Sequence, residues 1–200
     1  MGATQQGFAT LAIAGGHRVI CGKRCAWLSN RGHLNPSWAG VVPTATVELL
    51  SSIHSQLGGD ETLLHAKRSG SDPIPDFELP EHSLLIEIDE IQHFTTDRAG
   101  TLAIYPAQSA LAFDPVEYER LALAWSRVGD RYRASKPCAD FPFAGGRRAQ
   151  RAYFDAVRDL AAPYFGLRVL RIAVPECDPL LAMSRFDFAI QKLFDGSEQN

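Results

Sequence analysis

The apolar segment LLIEID at 84–89 constrains the fold more than any other part of the chain. Its aliphatic residues predict a buried β-strand, and side chains alternate between the two faces of a strand. Glu87 and Asp89 therefore share one face with Leu85, and the two isoleucines share the other. Two carboxylates side by side on a buried strand repel each other and lose hydration, so we expect a positive group between them.

Helix and strand patterns alternate along the rest of the chain, which has 200 residues and suits one elaborated domain. A helix pattern between the central strand and a second apolar strand predicts a parallel crossover. The predicted class is α/β, with a mixed central sheet and flanking helices. We expect a basic N-terminal segment at 1–43 and a main domain at 44–200 with an insertion at about 97–146. Helices are predicted at 44–57, 114–127, 147–162 and 178–194, and strands at 62–66, 76–79, 84–89 and 167–174.

Charge is unevenly distributed, although the net charge is only −3. Residues 1–47 contain no acid, residues 72–97 contain no lysine or arginine, and residues 127–151 carry seven basic residues. An acidic centre between basic flanks suits a centre that binds metal and flanks that bind phosphate. An uneven surface charge on a loop-rich protein explains the same counts, so the pattern leaves both interpretations open.

Composition excludes several classes of protein. No apolar run is long enough to cross a bilayer, and the first residues lack the pattern of a secretory signal, so we expect no membrane partner. Four cysteines in 200 residues do not form a disulfide framework, and a cytoplasmic location follows as the expectation. Zinc binding at Cys21, Cys25 and His33 is disfavoured because the spacing is wrong and no second cysteine pair follows.

A strand hairpin is predicted to gather carboxylates. Pairing of 76–79 with 84–89 brings Asp76 beside Glu87, and Asp89 completes a group of three acids. A hard divalent cation with oxygen ligands suits such a group. Mg²⁺ is the expected ion if the substrate is a phosphate, and Mn²⁺ is expected to substitute for it.

These residues also resemble a known family. Pro75-Asp76, followed eleven residues later by Glu87-x-Asp89, resembles the PD-(D/E)xK nuclease superfamily. The string IEIDEIQHF at 86–94 resembles the very-short-patch-repair-like endonuclease branch, and GLRVLRI at 166–172 is similar to the closing segment of that branch. The resemblance covers about 44–175. It implies a restriction-endonuclease-like fold and Mg²⁺-dependent hydrolysis of phosphodiester bonds in nucleic acid, with DNA favoured over RNA.

The resemblance also implies roles for individual residues. Asp76 and Glu87 would bind the metal, and Asp89, which stands where the superfamily has lysine, would help to hold the metal or its water. Gln92 would orient water or phosphate, and His93 would act as general acid or base. Glu48, near the start of the helix at 44–57, matches an acid that many superfamily members carry on an early helix.

The sequence also contains candidate phosphate-binding arginines and is compatible with two other functions. Arg147, Arg148 and Arg151 lie at a predicted helix start, where they suit phosphate binding and equally suit a solvated basic face. Because Asp89 replaces the lysine, a nuclease-fold module that binds nucleic acid without cutting it is one alternative. A protein-interaction or regulatory domain is the other.

Overall fold

The structure, a computed structural model, describes residues 2–29, 33–38, 40–66 and 74–195. It contains seven α-helices and four β-strands in these ranges, with short 3₁₀ turns between them. The elements are α1 (Ala3–Ala14), β1 (Ile20–Cys21), α2 (Thr44–Gln56), α3 (Glu61–Ala66), β2 (Phe77–Leu79), β3 (Leu84–Asp89), α4 (Thr96–Leu102), α5 (Pro115–Gly129), α6 (Gly146–Ala161), β4 (Arg168–Ala173) and α7 (Pro179–Asp195).

One mixed sheet joins the four strands in the order β1-β2-β3-β4. β2 is antiparallel to both β1 and β3, whereas β4 runs parallel to β3. α6 lies in the connection from β3 to β4, and this crossover accounts for the parallel pairing. The predicted mixed α/β class is confirmed, as are the predicted hairpin and crossover.

The sheet is buried between two helical layers. On one face, Leu85 and Val169 pack in a core with residues of α2 and α6 such as Ile53 and Val157. On the other face, Ile86 packs in a core with residues of α1 and α7. The alternation of β3 therefore directs Glu87 and Asp89 to the side of the sheet on which α6 lies. A third, smaller core includes residues of α4 and α5 and packs against Ala173 at the end of β4.

Two features of the N-terminal half differ from the sequence-based expectations. The strand predicted at 62–66 is wrong, because α3 occupies Glu61–Ala66. Asp60 begins this helix: its Oδ1 accepts a hydrogen bond from the Leu63 N–H (3.0 Å) and its carbonyl accepts one from Leu64. The segment 1–43 supplies α1 to the core and β1 to the sheet.

No helix in the described ranges is both long and apolar enough to cross a membrane.

A close backbone contact positions the turn that follows β3. Residues Ile91–His93 form a 3₁₀ turn against the end of α5. Gly129 makes this approach possible, because a Cβ on Gly129 would lie 2.0 Å from the carbonyl oxygen of Phe94 and 3.0 Å from that of Ile91. The absence of a side chain at Gly129 therefore helps to fix the position of His93.

Replacing Gly129 by alanine is expected to lower the free energy of unfolding by about 1–3 kcal/mol, because backbone must move to admit the methyl group. Gly100→Ala in α4 is the matched control, since the only atom near its Cβ lies at 3.8 Å and alanine favours a helix by up to about 1 kcal/mol. Urea denaturation of both variants measures the difference. Equal stability of the two variants would contradict the role of Gly129.

Candidate functional site

The hairpin of β2 and β3 brings Asp76 to Glu87. Phe77 pairs with Ile86, so continuing the register sets Asp76 opposite Glu87. The main-chain N–H of Ile88 donates a hydrogen bond to Asp76 Oδ2 (2.9 Å). Phe77 packs into the core on the α1 side of the sheet, and alternation therefore directs Asp76 to the α6 side, where Glu87 lies.

Two arginines outside the predicted site lie against these acids. Arg158 of α6 reaches Glu87, with 2.6 Å between Nη1 and Oε1. Arg171 stands beside Glu87 in the parallel pairing of β3 and β4, and its Nη1 lies 2.8 Å from Asp89 Oδ2. The Arg171 side chain is fully buried, and that of Arg158 is 12% exposed. The positive charge expected between the carboxylates is therefore supplied at least in part by the protein itself.

Asp89 is held by three side chains. Its Oδ2 accepts hydrogen bonds from Arg171 and from the Tyr118 hydroxyl, and its Oδ1 lies 3.2 Å from His93 Nδ1. Arg171 and His93 lower the pKa of the Asp89 carboxyl, against the opposing effect of burial. Asp89 therefore belongs to an internal charged network, and its role in holding a metal or its water stays a prediction.

A deeper layer of the same network lies between α4, α6 and β4. Arg171 Nε donates to Asp159 Oδ1 (2.8 Å), and Arg98 Nη2 donates to Asp159 Oδ2 (2.6 Å). The Tyr105 hydroxyl also donates to Asp159 Oδ2 (2.9 Å). Asp159 and Arg98 are almost wholly buried. These bonds satisfy the charges that burial would otherwise destabilise.

The acids of the network divide into two groups by their pKa values. Burial raises the pKa of Glu87 to about 8 in spite of Arg158, and burial also raises the pKa of Asp76. In contrast, the pKa of Asp155 is held well below its ordinary value by Arg171 and His93, although burial acts in the other direction. Positive charge therefore compensates Asp155 and Asp89 well, and it compensates Asp76 and Glu87 poorly.

His93 is fixed by the acids on one side of its ring. Its Nδ1 lies 3.0 Å from Asp155 Oδ2 and 3.2 Å from Asp89 Oδ1. Because a carboxylate only accepts hydrogen bonds, Nδ1 carries the proton, and in the neutral ring Nε2 is the acceptor. The side chain of His93 is 15% exposed. Gln92 is turned to Glu90, with 3.2 Å between its Nε2 and Glu90 Oε2.

The three arginines at the start of α6 have different environments. Arg148 is bound by acids, with its Nε 2.6 Å from Asp97 Oδ2 and its Nη1 3.7 Å from Asp130 Oδ1. Arg147 is exposed, and Arg151 is half-buried beside the 91–93 turn. The main-chain N–H groups of residues 146 and 147 already donate to Phe143 and Lys136. The main-chain N–H groups of residues 146 and 147 are thus occupied and Arg148 is paired with acids, whereas phosphate binding by the three arginines stays a prediction.

Glu48 is exposed to solvent on α2. It lies on an exposed part of α2, whose buried face carries Leu50 and Ile53. The charges that act most strongly on Asp76 and Glu87 come from other residues.

The sequence-based prediction missed Arg171. The sequence carried one signal for it, because this arginine is flanked by Leu170 and Ile172 within a predicted core strand.

Comparison of the chain with protein-family models, curated proteins and solved structures finds no match. In the described part of the chain, no group of three or more His, Cys, Asp or Glu side chains has the arrangement of a metal cage. The geometry of the network is therefore the basis for its interpretation.

Replacing Arg171 by methionine is expected to lower the free energy of unfolding by about 3–5 kcal/mol, because buried carboxylates lose their charge partner. Arg168→Met, at the partly exposed first residue of the same strand, is the control and should change it little. Urea denaturation at pH 7 measures both. Similar stabilities of the two variants would show that the network contributes little to the fold.

The raised pKa of Glu87 predicts a pH dependence of stability in metal-free buffer. Glu87 has a higher pKa in the folded chain than in the unfolded chain, so binding of a proton to Glu87 stabilises the fold. This stabilisation is fully present below the ordinary pKa of 4.5 and is lost as the pH rises to about 8. We expect the free energy of unfolding to fall between pH 5 and 8 in the wild type and to fall less in Glu87→Gln. Asp89 and Asp155 have lowered pKa values, so they contribute to the pH dependence of stability only below about pH 4. Denaturation in EDTA at each pH tests this, and identical slopes would contradict it.

Proposed function

We propose that this chain is a metal-dependent nuclease that hydrolyses phosphodiester bonds in nucleic acid, with DNA as the favoured substrate, and that its sheet is a restriction-endonuclease-like one. One observation carries the proposal. Asp76 and Glu87 stand opposite each other at the end of a hairpin, on the face that carries the charged network, and both have raised pKa values. A divalent cation would stabilise the ionised form of both carboxylates.

The charge of the network supports a cation at this place. Three arginines face five carboxylates in the described network, so two negative charges remain uncompensated when all five acids are ionised and His93 is neutral. The two least compensated acids are the neighbouring Asp76 and Glu87. Mg²⁺ is commonly bound through one or two carboxylates, retains several water molecules and accepts substrate phosphate oxygens. The pair therefore fits Mg²⁺, although it does not form a complete cage.

The residues around the pair have distinct proposed roles. When bound, Mg²⁺ would neutralise phosphate charge and lower the pKa of a water molecule. Arg158 lies where it offsets the charge of Glu87, and it supplies from α6 the positive group that is absent at position 89. His93 has its proton fixed on Nδ1 by Asp155, so Nε2 is suited to accept or return a proton. Arg151, beside Gln92, is suited to contact phosphate.

One observation favours a second candidate, a nucleic-acid-binding module without catalysis. Arg158 approaches Glu87 to 2.6 Å, and this contact competes with a metal ion for Oε1. If the contact persists in solution, the site binds a strand without cutting it. The two candidates differ in whether a divalent ion binds to the protein and leads to cleavage of the nucleic acid.

Asp76→Asn and Glu87→Gln are each expected to lower the rate of DNA cleavage with Mg²⁺ at least about 100-fold, because several kcal/mol of transition-state stabilisation are lost. Incubation of labelled duplex and single-stranded DNA and RNA with each protein, with and without EDTA, measures the rates. Glu81→Gln is the matched control, because Glu81 is an exposed acid at the other end of the hairpin.

Cleavage that survives both substitutions or EDTA would belong to another site or to a contaminant. DNA binding without cleavage under Mg²⁺ or Mn²⁺ would favour the second candidate. Absence of nucleic-acid binding at low salt would contradict both.

A further inference from the structure

Tyr132, on the connection from α5 to α6, contacts two arginines. The guanidinium carbon of Arg133 is 5.4 Å from the centroid of the Tyr132 ring, and that of Arg151 is 5.6 Å from it. The tyrosine is 42% exposed. Arginine is attracted to an aromatic face, and the contact limits the conformations of a long side chain. Two positive groups are therefore held together at the surface.

The acids nearby are already engaged with a different arginine. Asp97 and Asp130 both contact Arg148, and Asp130 also accepts hydrogen bonds from Thr96. Neither Arg133 nor Arg151 lies within ion-pair distance of a carboxylate in the part of the chain that the structure describes. Their charge is consequently available to an external anion.

The backbone holds this cluster in place. Arg133 has a φ of 52°, a left-handed conformation that costs about 1 kcal/mol in a residue other than glycine. The Arg147 N–H donates to the Lys136 carbonyl (3.0 Å), and Arg148 Nη1 donates to the Asp130 carbonyl (3.2 Å). Residues 130–136 are thus fixed to the start of α6 at two points, and the position of Arg133 follows from the fold.

The cluster lies a short distance from the proposed catalytic acids. Arg151 Nη1 donates to the Gln92 carbonyl (3.4 Å), next to His93. Arg158, which contacts Glu87, follows Arg151 by two turns of α6, a rise of about 10 Å. That rise corresponds to about three nucleotide steps of a strand at roughly 3.4 Å each.

We propose that Arg133 and Arg151, held by Tyr132, bind the phosphodiester backbone of a nucleic-acid strand about three nucleotides from the bond that is cut. This inference rests on the proposed function for the position of the cut bond. It adds Tyr132 as a positioning residue and Arg133 as a binding residue. Because phosphates carry no base identity, the contact sets the register of the strand without selecting a sequence.

The test measures binding in EDTA, where no cleavage occurs, by fluorescence anisotropy of a labelled oligonucleotide at several salt concentrations. Arg133→Ala and Arg151→Ala should each reduce the slope of log affinity against log salt by about 0.7–0.9. Tyr132→Ala should weaken binding about 2–5-fold, since that is the range of a lost cation–π contact, and Tyr132→Phe should bind as the wild type does. Arg120→Ala, which removes an exposed arginine paired with Glu117, is the matched control for net charge.

Slopes for Arg133→Ala and Arg151→Ala that equal the slope for Arg120→Ala would overturn the proposal. A Tyr132→Ala variant that folds and binds like the wild type would overturn the role of the tyrosine. Neutral methylphosphonate groups placed one at a time along the strand locate the contact. A methylphosphonate about three nucleotides from the cut should weaken binding by the wild type and leave binding by Arg151→Ala unchanged. The same pattern at any other position would overturn the proposed register.

Single-stranded and duplex forms of DNA and RNA, compared in the same assay, identify the source of the phosphates. If no strand is cut by the wild type, the proposed function fails while the salt slopes still decide whether Arg133 and Arg151 bind a strand. If strands are cut and the slopes do not change, the inference fails while the proposed function stands.

Discussion

The buried ion pairs of Arg171 are the interaction on which the rest of the structure depends. This one guanidinium lies 2.8 Å from Asp89, 3.1 Å from Asp155 and 2.8 Å from Asp159, and so joins β4 to β3 and to α6. Burying so many charges is unfavourable unless each finds a partner in good geometry. The network therefore allows little freedom in how α6 lies on the sheet, and the position of Arg158 against Glu87 follows from it.

The same network separates the acids by function. Asp89 and Asp155, which contact Arg171, have lowered pKa values and serve the fold, whereas Asp76 and Glu87 have raised pKa values. A protein stabilised only by its ion pairs would not need two under-compensated carboxylates facing each other. Perturbed acids that share a site are candidates for chemistry. The structure thus gives the pair a physical distinction that the motif alone does not provide.

Much of the fold could be predicted from the sequence because its signals are local. The alternation in β3, the Asp114 N-cap of α5 and the apolar face of α6 each depend on residues close together in the chain. The hairpin of Asp76 and Glu87 is also local, and its register followed from alternation. α1 was not predicted, since its small residues give no clear helical period, and Asp60 decided the structure of α3 by capping it.

The partners of the charged residues could not be predicted in the same way. Tyr118, Arg98 and Arg171 reach the acids from distant parts of the chain, so only the tertiary structure shows that Asp89 is already held. Arg148 illustrates the same point, because the acids that bind it lie 51 and 18 residues away. The sequence predicted that Asp76 and Glu87 lie side by side, and the structure adds the distant arginines and tyrosine that surround the acids.

The parallel pairing of β3 and β4 also affects how the chain is made. Asp89 and Arg171 are 82 residues apart, so during biosynthesis the acids leave the ribosome roughly 4–16 seconds before the arginine that neutralises them. Until then, β3 is an apolar segment with two repelling carboxylates and an unpaired edge. We therefore expect the nascent chain to complete its fold only after β4 has emerged, and to depend on chaperones until that time.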